Sequence, residues 1–180
     1  MPAVQVKLRS GELLVIREAA AEDAPELLKY TEKIAGESDF LTFGPGELGI
    51  TLEQEKAYLA GVASKNNALY IVAVLNGRIV GSLSFAGGSR PRTAHIGEFG
   101  VSVLKSHWGK GIGTELIRCL LQWCRESGVI RKVNLRVRAD NLRAIQLYKK
   151  MGFQEEGMIT RQFLLQGKFY DALLMGYAVD

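Results

Sequence analysis

Cysteine, histidine and proline are scarce in this chain of 180 residues, which holds two, two and four of them. With only Cys119 and Cys124 present, no disulfide framework staples the fold. Their five-residue separation turns the two thiols to different sides of a helix. His95 and His107 stand at no familiar ligand spacing from them, so no metal site is expected. The same scarcity points to a reducing, cytoplasmic compartment. Long apolar runs are lacking too. The longest stretch without a charged residue, 66–77, has 12 residues, against the roughly 20 that a spanning helix needs. The N-terminal stretch MPAVQVKLRSGELLVIRE has no apolar segment framed like a signal peptide, so a soluble, unexported protein without a membrane partner is expected. Repeats, low-complexity tracts and linkers rich in Pro, Gly or Ser are likewise missing, which predicts a single domain over 1–180. What remains is a globular composition, 47% hydrophobic and 23% charged, with enough apolar material for a core.

The net charge of +4 is unevenly spread. Residues 105–150 carry 11 basic side chains against three acidic, whereas the segments on either side are each at −2. A basic segment is either a solvated helix face or a site for an anion such as nucleic acid or a phosphorylated cofactor. No nucleic-acid reading motif or aromatic platform accompanies it, so nucleic acid is not the expected partner.

Periodicity and turn chemistry predict the elements. Val4–Arg9 and Leu13–Arg17 flank Ser10-Gly11 as a hairpin. Ala21–Ile34 has helical spacing, and 36–49, with four glycines and Pro45, reads as a long loop. Thr51 and Gln54 form a capping box that opens a second helix through about Ala63. Leu69–Leu75 and Ile79–Phe85 are strands joined by Asn76-Gly77, the strongest short hairpin signal. A strand at about Ala94–Leu104 leads to a glycine cluster. The helix 111–127 then shows a stripe of Leu116, Ile117, Leu120, Leu121 and Cys124. Lys132–Val137 alternates as a strand. Asp140 is positioned to cap a helix from Asn141 to about Met151, with Gly152 ending it. Met158–Leu165 and Phe169–Val179 form a last hairpin around Gln166-Gly167. The order predicts a mixed sheet covered by helices, in the α/β to α+β range.

The stretch that carries chemistry is Val101-Ser102-Val103 followed by Trp108-Gly109-Lys110-Gly111-Ile112-Gly113-Thr114. Strand, glycine turn and helix start make an anion cradle, because glycine lets backbone N–H groups approach a phosphate and the helix start is partly positive. Lys110 and the Thr114 hydroxyl are candidates for added contacts. A Walker A loop is excluded, since Leu104 stands where its first glycine belongs and Gly111 follows the lysine. A dinucleotide fingerprint fails at Thr114, where its last glycine belongs. A glycine turn without a ligand remains the alternative.

Together with Asn141, Ala144, Tyr148 and Gly152-Phe153, this stretch resembles the GNAT superfamily of acetyl-CoA-dependent N-acetyltransferases, and the order of elements agrees over nearly the whole chain. The run from Gly157 and Arg161 through Gly167-Lys168-Phe169-Tyr170-Asp171 to Met175 is similar to the branch with ribosomal-protein alanine and spermidine acetyltransferases. Trp108 departs from the family's usual Gln or Arg. The resemblance implies a single α/β (α+β) domain with a mixed, mostly antiparallel sheet of about seven strands flanked by about four helices. It implies acetyl-CoA as cosubstrate, no metal, an amine acceptor and, as is common among relatives, a homodimer.

It also implies roles. Val101, Ser102 and Val103 would lie along the pantetheine arm, and a backbone N–H near Val103 would receive the oxyanion. Residues 108–114 would hold the pyrophosphate. Asn141 would touch the arm and Ala144 leave it room. Tyr148 matches the general acid, a phenol with a pKa near 10 suited to protonating a thiolate. Glu98 matches the strand glutamate that many members use as general base, with His95 a weaker candidate. The acceptor would lie between 36–49 and the last hairpin, near Phe40, Phe43 and 163–170, where Glu37, Asp39 and Glu47 are either solvated loop charges or groups that favour a cation. A catalytically silent acyl-CoA sensor is the competing expectation.

Overall fold

Alternating burial along the strands and apolar stripes on the helices sort the chain into three layers. The computed structural model describes residues 1–179. Eight strands are found there, one more than the resemblance implies: β1 (Val4–Lys7), β2 (Leu13–Glu18), β3 (Ala68–Leu75), β4 (Arg78–Gly87), β5 (Ile96–Val103), β6 (Lys132–Arg138), β7 (Gln154–Leu165) and β8 (Lys168–Ala178). Four helices accompany them: α1 (Ala24–Ala35), α2 (Leu52–Ala63), α3 (Ile112–Ser127) and α4 (Leu142–Lys150). The strands form one sheet in the order β1-β2-β3-β4-β5-β6-β8-β7. Every pairing is antiparallel except β5 with β6.

The two faces of β4 show how the layers are divided. A Cβ at Gly81 would stand 3.2 Å from the Ile112 and Leu116 side chains of α3. Phe85, on the same face, meets Trp123 of α3 edge-on at 5.8 Å. The stripe expected on α3 is buried there in full. On the opposite face the hydroxyl of Tyr30, from α1, bonds Ser102 at 2.9 Å, and Ser102 lies 3.4 Å from Ser82. α1 and α2 therefore cover one face of the sheet, and α3 with α4 the other.

Local chemistry sets the element ends. Thr51 Oγ1 accepts from the Gln54 N–H and Gln54 Oε1 from the Thr51 N–H, completing the capping box. Asn76-Gly77 and Gln166-Gly167 both have positive φ at each residue, the geometry of the tightest hairpin turn. Besides shifts of one or two residues at element ends, three features differ from expectation. A short 3-10 turn at Ala21–Asp23 precedes α1, and β7 begins at Gln154 rather than Met158. Asn141, not Asp140, caps α4, its Oδ1 accepting from the Ala144 N–H at 3.2 Å. Asp140 is instead held by the fork of Arg138 at 2.7 and 2.9 Å. Among the described residues no helix is long and apolar enough to cross a membrane. The two cysteines are unpaired and buried, and burial pushes the Cys124 thiol up to about 12.

Candidate active site

The parallel strands β5 and β6 stay together for only three rungs, Ile96↔Lys132 to Glu98↔Asn134. Beyond that point β5 continues beside β4 as far as Val103 and β6 continues beside β8 as far as Arg138. The sheet is thus split. The Leu104 N–H donates to the Val80 carbonyl at 2.9 Å. Antiparallel alternation then turns the backbone groups of Val101 and Val103 away from β4 and into the split.

A cavity of about 1140 Å³ occupies this split and runs under α1 and α2. Phe99 to Val103 form one wall and Arg136 to Arg138 the other. The glycine turn closes one end. Gly109 and Gly111 hold φ of +81° and +86°, a left-handed backbone that side chains rarely adopt. Gly111 caps α3 without a side chain, which leaves the first N–H groups of that helix free for an anion. Ile112, Gly113 and Thr114 line the cavity. Asn141, Ala144, Leu147 and Tyr148 present one face of α4 to it. Tyr148 meets Phe99 and Phe153 edge-on, each at 6.0 Å, and burial pushes its phenol up to about 12.

A family model described as the acetyltransferase (GNAT) family matches residues 28–153. The chain belongs to that family. It is therefore an N-acetyltransferase. An L-amino acid N-acetyltransferase, AaaT, of Escherichia coli (strain K12) is 33% identical over 63% of this chain and 70% of its own. The N-alpha-acetyltransferase RimI of Mycobacterium tuberculosis is 35% identical over 62% of this chain and 67% of its own. A GNAT-family acetyltransferase structure from Streptococcus pneumoniae superposes with a TM-score of 0.89 at 34% identity, over 93% of this chain and 99% of that one.

Within this GNAT domain the structure brings most of the expected residues to one cavity. Val101, Ser102, Val103, Trp108, Gly109, Gly111, Ile112, Gly113, Thr114, Asn141, Ala144 and Tyr148 all line it. Lys110 does not; its ammonium pairs with Glu12 at 3.3 Å. The cation at the cradle is Arg143 of α4, which lines the cavity and stacks over Trp108 at 5.6 Å. Trp108 donates its indole N–H to the Val103 carbonyl at 2.7 Å and so ties the turn to the end of β5. Glu98 stands near the start of β5, where the resemblance puts it. Its carboxylate accepts from Arg136 Nε at 2.8 Å and stands outside the lining, while Arg136 itself lines the cavity. His95 is exposed, and only its backbone carbonyl is engaged, by the N–H groups of Arg131 and Lys132.

Two further residues of the site have no motif in the sequence. Arg138, 8% exposed, is sandwiched between the rings of Phe40 at 4.4 Å and Tyr170 at 4.0 Å. It also donates to the Asp39 carbonyl at 3.0 Å. The long loop 36–50 is thereby fastened to the last hairpin across the cavity mouth. Glu55 of α2 is likewise 8% exposed, lines the cavity and has burial as the cause of its raised pKa. The sequence signal for Glu55 is its place on the inward stripe of α2, four residues before Leu59.

Proposed function

We propose that this N-acetyltransferase works by direct transfer, the acceptor amine attacking acetyl-CoA while both are bound. The observation that carries this reading is the single cavity that unites the split strands, the glycine turn and Tyr148. Its chemistry fits the donor. The Val101 backbone groups and the Val103 N–H, without a β6 partner, suit the amides of a pantetheine arm, with Ser102 between them; the Val103 carbonyl is held by Trp108. Trp108, Gly109, Gly111, Ile112, Gly113 and Thr114, joined by Arg143 in place of Lys110, suit the pyrophosphate. Asn141 and Ala144 flank the arm from α4. Acetyl-CoA supplies the activated acyl carbon. As the C–N bond forms and the C–S bond breaks, Tyr148 gives its proton to the departing sulfur, and the proton that the attacking nitrogen sheds passes to water in the cavity and restores the phenol. Glu98 acts through Arg136, fixing that guanidinium at the cavity wall. The buried, unpaired thiols of Cys119 and Cys124 support placing the protein in a reducing, cytoplasmic compartment.

Thermal unfolding with acetyl-CoA, and with ATP and NAD as controls, tests the donor site. At about 100 times its Kd a ligand stabilises the native state by roughly 2.7 kcal/mol, a shift of several degrees at this size. A shift confined to acetyl-CoA, followed by CoA release on adding primary amines, is expected. Binding with no release against any amine would leave a sensor and overturn direct transfer. For Glu98→Gln, the expected change is in acceptor KM with the pH profile of kcat retained; loss of the acid limb would make Glu98 the proton acceptor itself.

A further inference from the structure

Helix α2 buries only two of its 12 residues, Glu55 and Leu59. One of the two inward positions of a surface helix is therefore given to a carboxylate. None of the hydrogen bonds or ion pairs among the described residues engages it, although a buried charge without a partner is costly. Glu55 lies on the cavity wall with Tyr58 and Tyr70, whose rings meet edge-on at 6.1 Å. A carboxylate beside two aromatic rings, open to a cavity and closed to other partners, is a receptor for a cation.

The sheet register locates that receptor relative to the reacting groups. Tyr70 on β3 pairs with Ser84 on β4, and Ser84 pairs with Gly100 on β5. Neighbouring strands stand about 4.8 Å apart, so the Tyr70 backbone is roughly 10 Å from that of Gly100, on the side away from the split. α2 packs on β3, whereas Val101, Val103 and Tyr148 stand at the β5–β6 end. The cavity thus has a reacting end and, about two strands away, an anionic aromatic end.

Resting on the reading of this cavity as the site of acetyl transfer, we propose that Glu55, with Tyr58 and Tyr70, binds a second cationic group of the acceptor. The acceptor class is then a compound with a reacting amine and another ammonium or guanidinium separated by a short chain, such as a linear diamine or polyamine. A peptide N-terminus followed by neutral side chains leaves Glu55 unmatched and is a poor acceptor. Selectivity comes from the mismatch: a monoamine of equal length places a methyl group against the buried carboxylate.

The test compares hexane-1,6-diamine with hexylamine by CoA release, in the wild type and in Glu55→Gln. The wild type is expected to favour the diamine in kcat/KM by at least tenfold, and Glu55→Gln to collapse that ratio to near one. A wild-type ratio near one, or a ratio that Glu55→Gln leaves intact, overturns the proposal. If the wild type releases no CoA with these two amines or with any other primary amine, direct transfer fails on its own account. Thermal unfolding with acetyl-CoA and the diamine then decides Glu55 separately: a diamine shift lost in Glu55→Gln upholds the cation site, and the absence of a shift, or one retained in Glu55→Gln, overturns it. Because Gln matches Glu in shape and removes a desolvated charge, an unfolding temperature at or above that of the wild type certifies that the variant is folded.

Discussion

At the scale of single residues, burial decides what Tyr148 can do. A phenol held up at about 12 stays protonated throughout the neutral range, so in the proposed transfer it enters as a donor. Complete proton transfer to a thiolate whose acid has a pKa of about 8.5 runs uphill by about 5 kcal/mol. That fits within the roughly 16 kcal/mol barrier of an enzyme turning over at about 10 s⁻¹. Tyr148→Phe should therefore lower kcat by about 100-fold while acetyl-CoA affinity, read by calorimetry, stays near wild type. Unchanged turnover would remove Tyr148 from the step. Glu55 shows the opposite effect of burial, since its carboxyl is raised with no partner to restore the charge. For an acid with a folded pKa above its unfolded value, the folded state binds more protons and stability falls as pH rises through that window. Glu55→Gln should accordingly be more stable than wild type at pH 7, with the difference shrinking toward pH 4; urea melts at the two pH values measure it.

At the scale of elements, the chain declares the structures that it builds from neighbours and hides those built from distant partners. Thr51 and Gln54 are three residues apart and their reciprocal bonds were readable in advance. So were Asn76-Gly77, Gln166-Gly167 and the glycine turn before α3, because each conformation is fixed within its own few residues. Thr51→Ala should cost about 1 kcal/mol, seen as a lower urea midpoint with the slope unchanged. Arg138, by contrast, meets Asp39 and Phe40 across about a hundred positions of chain, and no local pattern announces that meeting. The same reason hid Arg143, whereas Glu55 left one faint signal, its place a turn before Leu59 on α2. Asp140 is an exception to that rule: read alone it is a good cap, but the fork of Arg138, two residues away, claims both its oxygens and the neighbouring Asn141 takes the helix end. The closing run from Gly157 to Asp171 has a structural account as well. Arg161 sits at positive φ, its N–H bonding the Asp171 carboxylate at 2.8 Å and its guanidinium over Phe169.

At the scale of the whole molecule, the sheet is two sheets that share a short border. β1 to β5 form one leaf and β6, β8 and β7 the other, joined directly through three rungs of strand pairing. In hydrogen exchange, the amides of Val101 and Val103 should be poorly protected beside their β4 neighbours, and saturating acetyl-CoA should slow their exchange by at least tenfold; equal protection with and without ligand would count against a donor seated along β5. The short border has a mechanical meaning. In the proposed seating, a donor laid along the open edge of β5 takes the place of an absent strand, so that the two leaves are sewn together by a molecule the enzyme consumes. Each turnover then cuts that stitch and each new donor replaces it, and the cohesion of the protein rises and falls with the state of its substrate.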